Sequence, residues 1–114
     1  MLLASIAVNN YPMLDLEDKV SFALQCMEDY DVFQLPLVKE DYYIGLVNKE
    51  DVLDLDENQT MAALADQLSR VALPHSAHFT AALNLFAKHQ LSLLPILNEH
   101  QECVGVIPQK NLML

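Results

Sequence analysis

Apolar positions along this chain follow two spacings in turn, and the same succession of spacings occurs twice. In DKVSFALQCMED, Val20, Ala23, Leu24 and Met27 fall at i, i+3, i+4 and i+7, which predicts a helix with one buried stripe. Phe79, Ala82, Leu83 and Phe86 repeat that spacing. After each helix come two short runs rich in Leu, Ile and Val, at 32–38 and 44–47 and again at 92–97 and 104–107. They read as paired strands, and their near-continuous apolarity says that both faces are covered. Asn48 and Asp51 then open a short helix, Lys49–Leu53, with polar side chains able to serve its free N–H groups. A brief strand is expected before each long helix, at 11–14 and 71–73, and Thr60 is placed to cap a short helix in MAALADQL.

The repetition has a register. A shift of 59 sets Leu14 on Leu73, Val20 on Phe79, Ala23 on Ala82, Met27 on Phe86, Val32 on Leu91, Leu35 on Leu94 and Pro36 on Pro95. One extra residue in the second polar gap makes the shift 60, matching Gly45 to Gly105, Leu46 to Val106, Asp51 to Asn111 and Val52 to Leu112. The chain is therefore a tandem of two β-α-β-β-α units, residues 1–58 and 59–114, of mixed α/β (α+β) class. A unit of about fifty residues cannot cover its own sheet, so the two should pack about a pseudo-two-fold axis and leave a cleft. The last helix starts near Asn111 and needs more residues than the chain has left, so the natural protein is expected to continue past Leu114.

Length and composition narrow the function classes. At 114 residues and 53% hydrophobic content, one folded domain is expected, with no apolar run long enough to span a bilayer. The first eight residues lack a basic start and a cleavage pattern, which argues against a signal peptide and for a cytoplasmic address. The formal net charge is -10. Residues 1–58 hold thirteen acids against three lysines, while 59–114 balance three against three. That field, with no basic patch, excludes a nucleic-acid partner.

No glycine-rich phosphate loop, H-E-x-x-H or G-x-S-x-G is present, and carboxylate pairs such as Glu17-Asp18 are consecutive, so they diverge around a helix. The chain is read as no enzyme. Cys26 and Cys103 lie among apolar neighbours and read as core. His75 and His78 invite a metal reading only with a third ligand such as Cys103 or His89, so no metal is assigned and His75 is expected to line the cleft. Tyr42 and Tyr43 read as strand-edge residues.

LPLV, IGLVNKEDVL, LPIL and VGVIPQKNLM, twice in order across a full repeat, resemble the cystathionine-β-synthase-type (CBS) domain in its tandem form, the Bateman module. The resemblance implies a non-enzymatic regulatory module that self-associates as a homodimer. It also implies adenosine-type ligands, such as AMP, ATP, adenosine or S-adenosylmethionine, in the clefts between repeats. In nucleotide-binding members a Ser or Thr and an Asp, in the pattern G-h-x-S/T-x-x-D, face phosphate and ribose. Carried over by position, one cleft would combine Asn48 and Asp51 with Leu73, Pro74, His75, Leu91 and Ser92. The other would combine Pro108 and Asn111 with Leu14, Asp15, Val32, Phe33 and Gln34.

The first cleft keeps the acid but has Asn in the hydroxyl's place. The second has lost both, since Pro108 offers neither hydroxyl nor N–H and Asn111 no carboxylate. The positions just before L-P, Phe33-Gln34 and Ser92-Leu93, carry no basic residue, which disfavours a polyphosphate without a metal against a nucleoside or a sulfonium-type cation. The alternative is a ligand-free dimerisation or docking scaffold whose binding motifs have degenerated.

Overall fold

Each predicted succession closes into its own small sheet. The computed structural model describes residues 1–112, in the order β1 (Leu14–Asp15), α1 (Val20–Asp29), β2 (Gln34–Lys39), β3 (Tyr42–Asn48), α2 (Lys49–Leu53), β4 (Leu73–Pro74), α3 (Phe79–Lys88), β5 (Leu93–Leu97) and β6 (Cys103–Pro108). Short 3₁₀ turns at Leu3–Ser5, Met61–Gln67 and Gln109–Leu112 complete it. The sheets are three-stranded, ordered β1-β2-β3 and β4-β5-β6, with the first pair parallel and the second antiparallel in both. Both carry the same irregularity, between Leu37 and Val38 and between Ile96 and Leu97, one repeat apart. Of the last helix, expected to start near Asn111, the described part is the 3₁₀ turn Gln109–Leu112, and Met113 and Leu114 lie outside the described residues.

Several expectations are corrected. The first strand of each unit is shorter and later than 11–14 and 71–73, because the residues upstream are held elsewhere. Val8 exchanges two backbone hydrogen bonds with Val106 of the other sheet, at 2.8 and 2.9 Å, and Leu46 N–H donates to the Ser69 carbonyl at 2.9 Å. Each unit's leading segment thus lies along the far edge of the other unit's sheet. The N-terminal turn is part of this exchange: Leu3 donates to the Ala77 carbonyl and Ala4 to that of His75, and Leu3 is fully buried. Burying that side chain stabilises by about 1.5–3 kcal/mol.

The exchange explains the matched glycines. Neither has a positive φ. A Cβ on Gly45 would stand 2.5 Å from Leu68 Cβ, and one on Gly105 2.9 Å from the Val8 carbonyl oxygen. Glycine is required where the exchanged segment crosses.

Strand β2 begins at Gln34 and not at residue 32, because Val32 N–H still bonds back to the Met27 carbonyl and Asp31 turns through φ 54. The α1 stripe buries Val20, Ala23, Cys26 and Met27, whereas in α3 Leu83 is 41% exposed and Leu85 packs on the core in its place. The segment after Thr60 is 3₁₀, and neither the Thr60 nor the Asn48 side chain caps the turn that follows it. Tyr43 is no edge residue. It is fully buried with Val38, Leu97 and Cys103, and its hydroxyl donates to the Val71 carbonyl at 2.7 Å, while Tyr42 stays half exposed.

The hairpin tips join the sheets. Tyr43 N–H donates to the Gln101 carbonyl and Cys103 N–H to that of Asp41, both at 2.9 Å and related by the 60-residue shift. A pseudo-dyad passes between them.

Candidate functional site

At the other end of the seam, where β2 and β5 begin, the join is made by side chains. Gln34 is the one buried polar residue among those described. Its Nε2 donates to Asn48 Oδ1 at 2.7 Å and to the Gln90 carbonyl at 3.1 Å, and its Oε1 accepts from Ser92 N–H at 2.9 Å. Ser92 Oγ in turn accepts from Phe33 N–H at 3.1 Å. With its donors and acceptor satisfied, the buried carboxamide stabilises the seam, where an unpaired one would cost about 1–3 kcal/mol.

Cavities open on either side of this join. One of about 400 Å³ is lined by Phe33, Gln34, Asn48, Lys49, Glu50, Asp51, Leu53 and Gln90. The strand-to-helix step between β3 and α2 places Asn48 and Asp51 on its rim, because Gln34 pairs with Asn48 in the β2–β3 ladder. A second, of about 230 Å³, is lined by Tyr11, Asp31, Val32, Phe33, Ser92, Pro108, Gln109 and Lys110. Phe33, 67% exposed, borders both.

The sequence-derived residues are brought together only in part. Asn48 and Asp51 share their cavity with Gln34, which the carry-over had assigned to the other cleft. Val32 and Phe33 do meet Pro108, while Asn111 is exposed in the final turn and does not line that cavity. Leu73 and Pro74 pair with Ile96 and Leu97, at the opposite end of β5 from Ser92, and Leu14 and Asp15 pair likewise with Leu37 and Val38. Leu14 is fully buried and Asp15 exposed. Leu91 is buried beside Ser92 and borders a groove shared with Phe33 and Phe86. His75 sits in a separate cavity of about 380 Å³ with Ala4, Asn98 and Glu99. There its Nε2 lies 3.4 Å from Glu99 Oε2, and the Glu99 carboxyl is held below its usual range by its own backbone N–H and by His75.

The strand ends were misplaced because the parallel register of β1 and β4 runs toward the hairpin tips. Lys49, Glu50, Leu53 and Gln90 were missed. The first three adjoin Asn48 and Asp51 in one helical turn, a signal the sequence did contain. Among the described residues no group of three or more His, Cys, Asp or Glu is arranged to hold a metal ion, and no helix is long and apolar enough to cross a membrane. Cys26 and Cys103 are both buried and free. Burial pushes the Cys103 thiol up to about 11, and burial with the nearby Asp18 and Asp29 charges raises that of Cys26.

The family model for the CBS domain matches residues 3–58 and again 68–114. This chain belongs to the CBS-domain family. As a CBS pair it resembles a CBS domain pair/ACT domain protein from Thermotoga maritima, with 27% identity and a TM-score of 0.88 over 97% of this chain and 92% of that one. It also resembles CBSX2 in complex with AMP, with 18% identity and a TM-score of 0.81 over 96% and 91% of the two chains, a likeness of fold. Among curated proteins it is similar to inosine-5'-monophosphate dehydrogenase of Thermoplasma acidophilum, 22% identical over 111 residues. The chain spans 22% of that enzyme's length. A CBS pair is a regulatory module, and the paired-repeat reading of the sequence holds.

Proposed function

We propose that this CBS pair senses an adenosine-type small molecule in the cleft around Asn48 and Asp51. The observation that carries the reading is a cavity of about 400 Å³ that Asn48, Asp51 and Phe33 of the first repeat line together with Gln90 of the second. A carboxylate accepts two hydrogen bonds from vicinal hydroxyls, and an exposed aromatic face offers a stacking surface for a planar base. The AMP complex of a structural relative supports the ligand class by analogy of fold. Binding acts on a partner by favouring one arrangement of the repeats or of two chains, and we place the module in the cytoplasm as a homodimer.

Thermal shift and calorimetry with AMP, ATP, adenosine and S-adenosylmethionine test this. A ligand at about one hundred times its Kd should stabilise the fold by about 2.7 kcal/mol, and Asp51→Ala should cut that shift to about half or less. Silence from all four at millimolar concentration would remove the proposal. A scaffold without ligand is favoured by one contact, the Gln34 to Asn48 hydrogen bond that already occupies Asn48 Oδ1. A strict monomer at high micromolar concentration in light scattering contradicts the scaffold reading and the homodimer alike, whereas ligand binding by that monomer would still support sensing.

A further inference from the structure

The groups around the Asp51 cleft are unevenly committed. The Gln34 carboxamide is spent within the protein, and Asn48 has its oxygen engaged, so its Nδ2 donors remain for a ligand. Among the described residues ion pairs form only between Glu99 and the imidazoles of His75 and His100. Lys49, Glu50 and Asp51 therefore face the cleft without ionic partners. One ammonium stands against two carboxylates, within the half of the chain that carries the whole net charge of -10. Phe33 and Leu53, 67% and 59% exposed, supply apolar walls.

We infer that this cleft selects a nucleoside that carries no phosphate, and that Glu50 is the residue setting the selection. The inference rests on the adenosine reading above. Asp51 is used by ribose-type hydroxyls, which leaves Glu50 as the second carboxylate facing whatever extends from the sugar. A phosphate there meets like charge, which Lys49 offsets only once. A neutral or cationic substituent meets a favourable field. Because the groups lie near solvent, the discrimination is moderate and salt-sensitive: each added negative charge on the ligand weakens binding by roughly threefold to tenfold at low ionic strength.

A charge ladder built on one ring system tests it by calorimetry without divalent cations. The probes are 5′-amino-5′-deoxyadenosine, adenosine, AMP and ATP. Affinity is expected to fall in that order, and the steps to shrink at high salt. Glu50→Gln should narrow the adenosine-to-AMP ratio, and Glu50→Lys should reverse it. Glu50 is exposed, so neither substitution disturbs the core, and a melting curve on each variant checks that. AMP or ATP binding as tightly as adenosine, or a ratio unmoved by both substitutions, would overturn the selection while leaving adenosine sensing intact. No heat with any of the four probes would overturn both.

Discussion

The two ends of the seam between the repeats are built in different ways. At the hairpin tips the symmetric part of the join is backbone to backbone, one pair of 2.9 Å hydrogen bonds related by the internal dyad over the buried cluster of Val38, Tyr43, Leu97 and Cys103, to which the Tyr43 hydroxyl and the Arg70 guanidinium add side-chain bonds. At the strand starts the join is made by side chains, and there the dyad is broken. Gln34 is answered by Leu93, Asn48 by Pro108 and Asp51 by Asn111. Backbone pairing accepts almost any side chain, so the tips keep their symmetry while the sequence drifts. The side-chain join does not, and a carboxylate stands at only one of the two helix starts.

The largest effect should come from the contact that holds both ends in place, the crossing of the exchanged segments. Gly105→Ala sets a methyl 2.9 Å from the Val8 carbonyl, a backbone atom that cannot step aside without breaking the Val8–Val106 pair. A loss of about 2–3 kcal/mol is expected in chemical denaturation, with faster amide exchange at Val8 and Val106. Gly45→Ala should act similarly through Leu68 and Ser69. If both are silent, the exchange is not what fixes the repeats against each other.

Alkaline titration sharpens the contrast, because titratable groups are buried at the tips and not within the Gln34 join. Burial pushes the Cys103 thiol up to about 11 and raises the Tyr43 phenol as well, with the Cys103 charge adding to the rise. Both groups are neutral in the folded protein and lose protons earlier in the unfolded chain. Stability is therefore fully present below the ordinary thiol pKa near 8.5–9 and falls as pH rises toward 11, by about 2 kcal/mol from the thiol alone, with the phenol adding to the loss from about pH 10 upward. Tyr43→Phe should flatten the upper part of that slope, as followed by denaturant midpoints across the range. A stability flat from pH 8 to 11 would contradict the burial of these groups.

A smaller effect is expected at the other end. Gln34→Leu leaves the Ser92 N–H and the Gln90 carbonyl without their partner and should cost about 1–2 kcal/mol in denaturation. It also frees Asn48 Oδ1. The alkaline slope should be unchanged in this variant, since the two ends are separate structures. A steeper slope would join them.

Much of this was legible in the residues. The i, i+3, i+4 spacing gave both long helices, and Lys49–Leu53 was read with its observed bounds because a polar N-terminal step and an apolar Val52 mark so short a helix. The repeat register of 59 then 60 residues predicted the dyad, and the tip hydrogen bonds follow it. What stayed hidden was partner choice. Nothing local in residues 1–8 states that they lie on the second sheet, since an edge strand offers the same N–H and C=O groups whichever unit it belongs to. The same holds for Ser69 against Leu46. Tyr43 looked like an edge residue because the alternation of its strand says nothing of a second sheet arriving at the tip. In the candidate site the helix start was found and the opposite wall was not, since Phe33, Gln34 and Gln90 reach it only through the way the starts of the two central strands meet at the seam, which no local pattern states.

The unequal clefts are tested most directly by the stoichiometry of adenosine binding in Asp51→Ala and Asn111→Ala beside the unaltered chain, measured by calorimetry. The account predicts one site per chain, weakened at least about tenfold by Asp51→Ala, the size expected on losing a charged hydrogen-bond partner, and little changed by Asn111→Ala. Two equivalent sites, or a site lost with Asn111 and kept without Asp51, would contradict it.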